Sequence, residues 1–194
     1  MNYPLLFQNF NRYTSISEID YNLIETALEK RHVKKKRILL NQGDVSRYLI
    51  FVLKGSLRSY TIDKEGNEHV MQFAFEGHWV SDLASFITQT PGEMVIEAIE
   101  ECEVVLLPHD ELNALLERIP SLEKFFRQLY QGAYVALQKR VNSRASTSAK
   151  ERYKELILQH PYVAKRIPLR LIASYLGITA ESLSRVRNTM ANEK

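Results

Sequence analysis

The sequence predicts an α+β fold in which an all-β module precedes a set of helices. Between Arg37 and Leu107, short β-rich runs alternate with turn signals at the spacing typical of a β-sandwich or barrel. Residues 121–144 then place apolar side chains every three to four positions, which predicts one long helix. Residues 168–190 predict two shorter helices joined at Gly177, where a left-handed residue can end the first helix.

The composition is typical of a soluble globular protein. Hydrophobic residues make up 45% of the 194 residues and charged residues 25%, and no apolar run is long enough for a membrane helix. The N-terminus lacks the basic segment and apolar core of a secretory signal. The single cysteine, Cys102, excludes an internal disulfide and an all-cysteine metal or iron–sulfur site within one chain. We therefore expect a cytoplasmic protein with no cofactor, no metal and no membrane partner.

The region before the β module predicts an opening helix at residues 15–31. Ser17 is its candidate cap, with Asp20 three residues further on. Its apolar face would consist of Ile19, Leu23 and Ala27, with Ile24 and Leu28 as further candidates. The basic run Lys34–Arg37 is expected to be a solvated lead-in to a strand, although contact with nucleic acid is the alternative.

The β module is divided by two turns. Its runs are RILL, YLIFVLKG, SLRSYTID, EHVMQFAF and MVIEAIEECEVVLLP. Residues 41–44 and 63–67 are the turns, and Gly66 is expected to take the left-handed position at a hairpin tip. Pro108 should end the β section.

The helices that follow suggest an association between two copies. A short helix is predicted at Asp110–Arg118, the long helix at 121–144 and a further helix at about Thr147–Gln159. The apolar stripe of the long helix needs a partner, and a two-fold copy of the same helix is the simplest one. The alternative is that this helix packs only on its own β module. The candidate dimerisation residues are Phe125, Phe126, Leu129, Ala133, Leu137 and Val141, preceded on the stripe by Leu122.

The last two helices follow the logic of a helix-turn-helix. Thr179 can cap the second helix, which would bury Leu183, Val186 and Met190. Its other face can read base edges, because Arg bonds both acceptors of guanine and Glu accepts from the cytosine amino group. The candidate base-reading residues are Ala180, Glu181, Ser184, Arg185 and Asn188, and the candidate phosphate contacts are Arg170, Thr179, Ser182 and Arg187. The alternative is an ordinary helical hairpin.

Charge favours the DNA-binding interpretation. From Lys150 to Lys194 the chain carries nine Lys or Arg against four Asp or Glu, a balance of +5, whereas the remaining residues balance at −2. A basic end on a slightly acidic body suits a nucleic-acid module.

The order of these features resembles the Crp/Fnr family of bacterial transcription regulators over nearly the whole chain. The residues that carry the resemblance are Gly43-Asp44 with 48–55, Asp63 with Gly66, 77–83, and 172–187. The short C-terminus is similar to Bacteroidetes-type members. The resemblance implies a double-stranded, jelly-roll-like β-roll sensor (1–120), a dimerisation helix (121–144) and a helix-turn-helix domain (145–194). That last domain would be winged-helix-like with a truncated wing.

The same resemblance implies a homodimer that reads palindromic half-sites in double-stranded DNA through residues 179–190, with RNA polymerase as a candidate partner. The chain has Ala180 where many members carry an Arg before the base-reading Glu, so the preferred DNA sequence should differ.

The segment that binds cyclic nucleotide in other members departs from the family pattern. Ser81-Asp82 stands in place of a Gly-Glu pair, and Gly92-Glu93 in place of an Arg-Ser pair. Residues 65–117 contain no Lys or Arg and twelve Asp or Glu. Burying a phosphate without a cation is costly, so we expect no binding of cyclic AMP or cyclic GMP in the usual way.

A degenerate effector pocket in the same region is therefore expected to take an apolar, neutral or cationic ligand. Its candidate residues are Phe73, Trp79, Ser81, Asp82, Leu83, Gly92 and Glu93, with Met71, Phe75 and Phe86 as further apolar candidates that more simply fill the core.

Two rival functions remain open from the sequence. One is a small-molecule-binding β-roll with a vestigial DNA-binding module. The other is a cupin-like metalloenzyme, for which Glu76, His78 and Asp82 are the nearest ligand cluster. Because one His with two carboxylates on alternating strand positions is a weak ligand set, we expect no enzyme.

Overall fold

The computed structural model describes residues 2–192, and this part of the chain contains nine helices and eight strands. The helices are α1 (Pro4–Asn11), α2 (Glu18–Thr26), α3 (Leu83–Thr88), α4 (His109–Arg118), α5 (Pro120–Ser146), α6 (Ala149–Gln159), α7 (Val163–Arg166), α8 (Leu169–Leu176) and α9 (Ala180–Asn192). The strands are β1 (Glu29–Val33), β2 (Ile38–Leu40), β3 (Tyr48–Lys54), β4 (Leu57–Ile62), β5 (Glu68–Ala74), β6 (Trp79–Val80), β7 (Val95–Ala98) and β8 (Cys102–Pro108).

The strands form two four-stranded antiparallel sheets. One sheet has the order β1-β8-β3-β6 and the other the order β2-β7-β4-β5. Helices α1 and α2 precede the strands and α3 lies between β6 and β7, whereas α4, the long helix α5 and the last four helices follow β8 in the chain. The predicted α+β class, with a β-roll, a long helix and C-terminal helices, is confirmed. Within the described residues no strand follows α9.

The central strands are apolar on both sides because both of their faces are covered. In β3, Ile50 and Val52 lie between the sheets, whereas Leu49 and Phe51 face the helices. Strand β8 repeats the pattern with Val104 and Leu106 inside, and Val105 and Leu107 outside. Since successive strand residues point to opposite faces, near-continuous apolar runs are what such doubly covered strands require.

The outer face of the first sheet carries the start of the long helix. Phe125 and Phe126 of α5 pack with Phe10 of α1 and Trp79 of β6, and both phenylalanine rings are almost completely buried. The helices α1, α2 and α4 complete this aromatic core. The position of the long helix against the β-roll is therefore set by side chains of its first two turns.

The outer face of the second sheet carries the last four helices. Val70 and Phe73 of β5 share a core with Leu156 of α6, Ile172 of α8 and Leu183 of α9. The helix-turn-helix is therefore packed against the β-roll of its own chain.

Two parts of the N-terminal region differ from the sequence prediction. The helix expected to reach residue 31 ends at Thr26, because Glu29–Val33 forms the edge strand β1. Four of its five residues are exposed and charged or polar, so the strand lacks the apolar alternation that would predict it. In α2 itself Ser17 caps the helix as predicted, and Leu23, Ile24 and Ala27 pack in or against the core as predicted. Ile19 is exposed, however, and Tyr21, which was not predicted, is buried. The helices α1, α3 and α7 were not predicted.

The other element predictions agree with the structure. Gly66 has a φ of 84° at the hairpin tip, and Pro108 is the last residue of β8. The predicted helices after it correspond to α4, α5 and α6. Cys102 is buried, and burial raises the pKa of its thiol, as expected for a structural cysteine. No helix between residues 2 and 192 is long and apolar enough to cross a lipid bilayer.

Candidate functional site

The turn between α8 and α9 is determined by local chemistry. Gly177 takes a left-handed φ of 69°, which a residue with a side chain would adopt only at a cost. The amide of Ile178 then donates to the carbonyl of Ala173 at 3.0 Å, closing the end of α8. Thr179 Oγ1 accepts from the Ser182 amide at 3.2 Å and so begins α9.

Helix α9 separates its apolar and polar side chains as predicted. Leu183 is fully buried, and Val186 and Met190 pack beside it against the same core. The opposite face is exposed and carries Glu181, Ser184, Arg185 and Asn188, while Ala180 is half-buried at the start of the helix. The candidate base-reading residues therefore share one accessible surface. Their contact with DNA stays a prediction.

The N-terminal end of α9 keeps Glu181 ionised. The backbone amide of Glu181 and the Thr179 hydroxyl hydrogen-bond its carboxylate and lower its pKa. An ionised carboxylate is the form that accepts a hydrogen bond from a cytosine amino group. One turn later, Arg185 Nη2 donates to Ser182 Oγ at 3.3 Å.

The candidate phosphate contacts divide into two groups. Thr179 and Ser182 are engaged in the cap of α9. Arg187 is exposed, and Arg170 is largely exposed on α8 with Nη2 3.9 Å from Glu68 Oε2 of the β-roll. Arg170 therefore lies beside a carboxylate at the junction between the β-roll and the last helices. Arg187 forms no ion pair within residues 2–192 that would compete with a phosphate.

The predicted dimerisation stripe on α5 needs a correction. Phe125 and Phe126 are buried in the core of their own chain, with Leu129 packed against it, so these side chains are not free to meet a second copy. Ala133 is exposed but lines a cavity beside the β-roll. Only Leu137 and Val141 of the predicted stripe remain as exposed large apolar residues.

The sequence reasoning missed a residue that belongs with them. Tyr134 is 61% exposed, Leu137 48% and Val141 59%. Their spacing of three and then four residues is that of the core positions of a coiled coil. The predicted stripe shares Leu137 and Val141 with this exposed strip, but it continues toward the N-terminus through Ala133 and Leu129 and not through Tyr134.

A cavity of about 400 Å³ lies between the β-roll, α5 and the last helices. Four of the seven predicted pocket residues line it: Phe73, Ser81, Asp82 and Leu83. Trp79 does not, because its ring packs among Phe51 and Phe126 and its Nε1 donates to Asn9 Oδ1 at 3.0 Å. The cavity also has walls that were not predicted, from Leu156, His160, Val163 and Tyr175 of the last helices.

Asp82 takes an unexpected position in the structure. It is 4% exposed, and its Oδ2 accepts from the amides of Glu93 and Met94 at 3.0 and 3.1 Å while Oδ1 accepts from Ser85 at 3.2 Å. A side chain at Gly92 would place its Cβ 2.4 Å from Asp82 Oδ2. The amides of Glu93 and Met94 therefore hold the Asp82 carboxylate, and Gly92 leaves room for it. Neither Gly92 nor Glu93 lines the cavity.

The cation that residues 65–117 lack comes from the long helix. Arg140 lines the cavity, with Nη1 donating to the carbonyl of Met71 and Nη2 3.7 Å from Met71 Sδ. Its guanidinium also lies 4.9 Å from the centre of the Tyr175 ring. The sequence analysis did not predict this contact, because Arg140 lies outside residues 65–117 and is 69 positions from Met71 in the chain.

Polar contacts join the last helices to the β-roll. Arg166 of α7 hydrogen-bonds both carboxylate oxygens of Glu76 at 2.8 Å and also contacts Glu100. Ser174 of α8 donates to the Glu68 carbonyl at 2.8 Å and accepts from the Val70 amide at 3.0 Å. These bonds orient the helix-turn-helix relative to the second sheet.

The residues of the metalloenzyme alternative are engaged elsewhere. Glu76 binds Arg166, and Asp82 accepts the three amides described above. His78 Nδ1 accepts from the Phe75 amide at 3.1 Å. Among residues 2–192, no group of three or more His, Cys, Asp or Glu side chains is arranged to hold a metal ion.

Comparison with known proteins identifies the class of the β-roll. The profile of the cyclic nucleotide-binding domain matches residues 30–119. The chain is 26% identical over 186 positions to the anaerobic regulatory protein of Haemophilus influenzae, covering 89% of this chain and 71% of that protein. It is also 26% identical over 186 positions to the fumarate and nitrate reduction regulatory protein of Yersinia pestis, covering 89% and 73%.

Solved structures agree on the fold. FixK2 from Bradyrhizobium japonicum superposes with a TM-score of 0.75 at 17% identity, over 86% of this chain and 85% of that one. A putative transcriptional regulator of the Crp/Fnr family from Eubacterium rectale gives 0.72 at 22% identity, over 100% and 89%. The chain is thus similar in sequence to these two regulatory proteins and similar in fold to FixK2 and to the Crp/Fnr-type regulator of Eubacterium rectale.

Proposed function

We propose that this protein is a DNA-binding transcription regulator that acts as a homodimer and reads palindromic half-sites through α9. The observation that carries the proposal is the exposed polar face of α9, on which Glu181, Ser184, Arg185 and Asn188 are together free to meet base edges. The basic balance of residues 150–194 supports it, because neutralising phosphates supplies the sequence-independent part of DNA affinity. The names of the sequence relatives point to the same function.

The dimer would form through the second half of α5. Tyr134, Leu137 and Val141 make an exposed apolar strip at coiled-coil spacing. The strip lies beyond Phe125 and Phe126, which are buried against the β-roll, and Leu137 also lines the cavity beside the β-roll. A parallel pair of such helices would place two copies of α9 about a two-fold axis, as palindromic half-sites require. The division into residues 1–120, 121–144 and 145–194 is retained as part of this proposal, and RNA polymerase remains a candidate partner by resemblance.

The test is a titration of the purified protein against a pool of genomic fragments at two salt concentrations. We expect selective binding that weakens as salt increases. Arg185→Ala should cost about 1–3 kcal/mol of binding to the selected site and relax its selectivity, since a bidentate contact to guanine is worth that amount. The control is Arg118→Ala, which also removes one positive charge but lies on α4 and not on α9. It should leave DNA binding unchanged.

The rival functions predict different results. Weak, salt-insensitive and non-selective binding by the wild-type protein would favour a small-molecule-binding β-roll with a vestigial DNA module. Stoichiometric metal in the purified protein, together with turnover of a substrate, would favour a metalloenzyme. Equal loss of binding in Arg185→Ala and Arg118→Ala would contradict the assignment of α9 as the reading helix.

A further inference from the structure

Arg140 is a partly buried cation that has no carboxylate partner among residues 2–192. Its side chain contacts the carbonyl and sulfur of Met71, lies over the face of Tyr175 and also hydrogen-bonds the Tyr175 side chain. Burial lowers the pKa of its guanidinium, and the nearby Arg144 lowers it further against the effect of Tyr175. A guanidinium presents five donors in a planar fork, and Arg140 is one of the residues that line the cavity between the β-roll and the last helices. Buried charges in proteins are normally paired, which makes this one a candidate anion site.

The rest of the cavity wall is mostly apolar. Phe73 and Phe75 come from β5 and the residue after it, Leu137 from α5, and Leu156 and Val163 from the last helices. A cavity of about 400 Å³ with apolar walls and few polar groups is typical of a small-molecule site. The wall therefore favours a ligand whose body is a hydrocarbon or an aromatic ring.

Asp82 determines which end of the ligand can carry charge. Its carboxylate lines the cavity and already accepts the converging amides of Ser85, Glu93 and Met94. An anionic group placed at that end would meet the Asp82 charge and find these amides taken. The ligand can therefore carry one anionic group, at the end of the cavity where Arg140 lies. The Asp82 carboxylate excludes a second anionic group at its own end of the cavity.

We propose that this cavity binds an organic monocarboxylate with an apolar body, and that its carboxylate pairs with Arg140. The proposal rests on the regulatory function argued above and names the chemistry of its effector. This ligand differs from the apolar, neutral or cationic ligand expected from the sequence. The difference arises because Arg140 of α5 supplies a positive charge that residues 65–117 lack.

Such a ligand would touch the β-roll, the long helix and the DNA-binding helices at once. Phe73 belongs to β5, Arg140 to α5, and Leu156 and Tyr175 to α6 and α8. Occupying the space between these elements would tie them together and reduce the freedom of α8, next to the reading helix. The expected regulatory effect is a change in the mobility of the helix-turn-helix relative to the sheet.

The proposal is tested with phenylbutyrate and decanoate as carboxylate probes and phenylbutyramide as the neutral match, using the full-length protein without DNA. Calorimetric titration should give saturable binding of at least one carboxylate, at least about tenfold tighter than the amide. Arg140→Gln should weaken carboxylate binding by about tenfold or more, since a hydrogen bond to a charged group is worth about 1.5–3 kcal/mol. Arg127→Gln, on the same helix but outside the cavity, should bind like wild type.

Two further measurements keep the outcome decisive. Arg140→Lys should retain part of the carboxylate affinity, and its unliganded melting temperature checks that the fold is intact. Hydrogen exchange of α8 amides should slow when the carboxylate is bound. Equal affinity for amide and carboxylate, unchanged binding in Arg140→Gln, or no saturable binding by either carboxylate would overturn the proposal. Because the binding readout needs no DNA, a failure here and a failure of the Arg185→Ala test are separate results.

Discussion

The two outer faces of the β-roll are covered in different ways. On the first sheet, Phe10, Trp79 and Phe125 belong to a contact that is almost entirely aromatic and apolar. On the second sheet, apolar contacts are mixed with the Arg166 ion pairs, the Ser174 hydrogen bonds and a cavity of about 400 Å³. Intrachain interfaces that are polar and imperfectly filled are the ones at which domains move. The first face therefore forms a permanent scaffold, and the second forms a separable junction.

The largest expected effect is on the scaffold face. Phe125→Ala should lower the free energy of unfolding by about 3–5 kcal/mol, because it opens a cavity in a fully packed aromatic core. Chemical denaturation monitored by circular dichroism measures this loss. Tyr134→Ala lies nine residues further along α5 on its exposed surface and should change the stability of the monomer by less than about 0.5 kcal/mol.

The same two variants separate folding from association. Tyr134→Ala should weaken the proposed dimer in analytical ultracentrifugation while leaving the fold intact. A large loss of monomer stability in Tyr134→Ala, or none in Phe125→Ala, would contradict the division of α5 into a scaffold half and a dimerisation half.

A smaller effect is expected at the junction face. Arg166→Gln removes the ion pairs with Glu76 and Glu100, which are partly exposed to solvent, so it should cost only about 1 kcal/mol. Its clearer consequence should be faster hydrogen exchange in α8, because the last helices lose an anchor on the sheet. Lys165→Gln changes the neighbouring charge and should leave exchange as in wild type. Unchanged exchange in both variants would mean that apolar packing alone holds this junction.

The smallest expected effect is a pH dependence of the junction. Burial lowers the pKa of His78, as do the charges of His160 and Arg12, and burial also lowers the pKa of His160. In the unfolded chain both side chains would titrate near 6.5, so the unfolded state binds more protons below that pH. Above pH 6.5 both histidines are neutral in the folded and unfolded states, and their contribution to the free energy of unfolding is complete. This contribution is lost as the pH falls from 6.5 toward the lower pKa values that the two histidines have in the folded state.

Melting temperatures measured from pH 7.5 down to about 5.5 should therefore fall, and His78→Gln should flatten part of the slope. If the melting temperature fell equally with pH in the wild type and in His78→Gln, His78 would not contribute to the pH dependence of stability.

Local chemistry explains why some predictions from sequence succeeded. The cap at Thr179, the left-handed Gly177 and the apolar face of α9 each depend on residues within one or two helical turns. Such features are readable from spacing alone, because an α-helix brings positions three and four apart to one side. The same holds for the Gly66 turn.

The predictions that failed depended on contacts between distant parts of the chain. An apolar stripe that includes Phe125 and Phe126 indicates that this side of the helix will be covered, but not whether its own β-roll or a second copy covers it. The charged strand Glu29–Val33 is stabilised by pairing with β8, about seventy residues later, and its own side chains give no apolar pattern.

The sequence by itself determined that this protein has a β-roll, a long helix and a helix with one polar face suited to DNA, because periodicity and turn chemistry are local. Only the tertiary structure decided that Asp82 accepts the amides near Gly92, and that Arg140 supplies the cation of the cavity. The physical reason is that burial and charge pairing are properties of a neighbourhood in space. Arg140 and Met71 become neighbours only when the long helix packs on the β-roll.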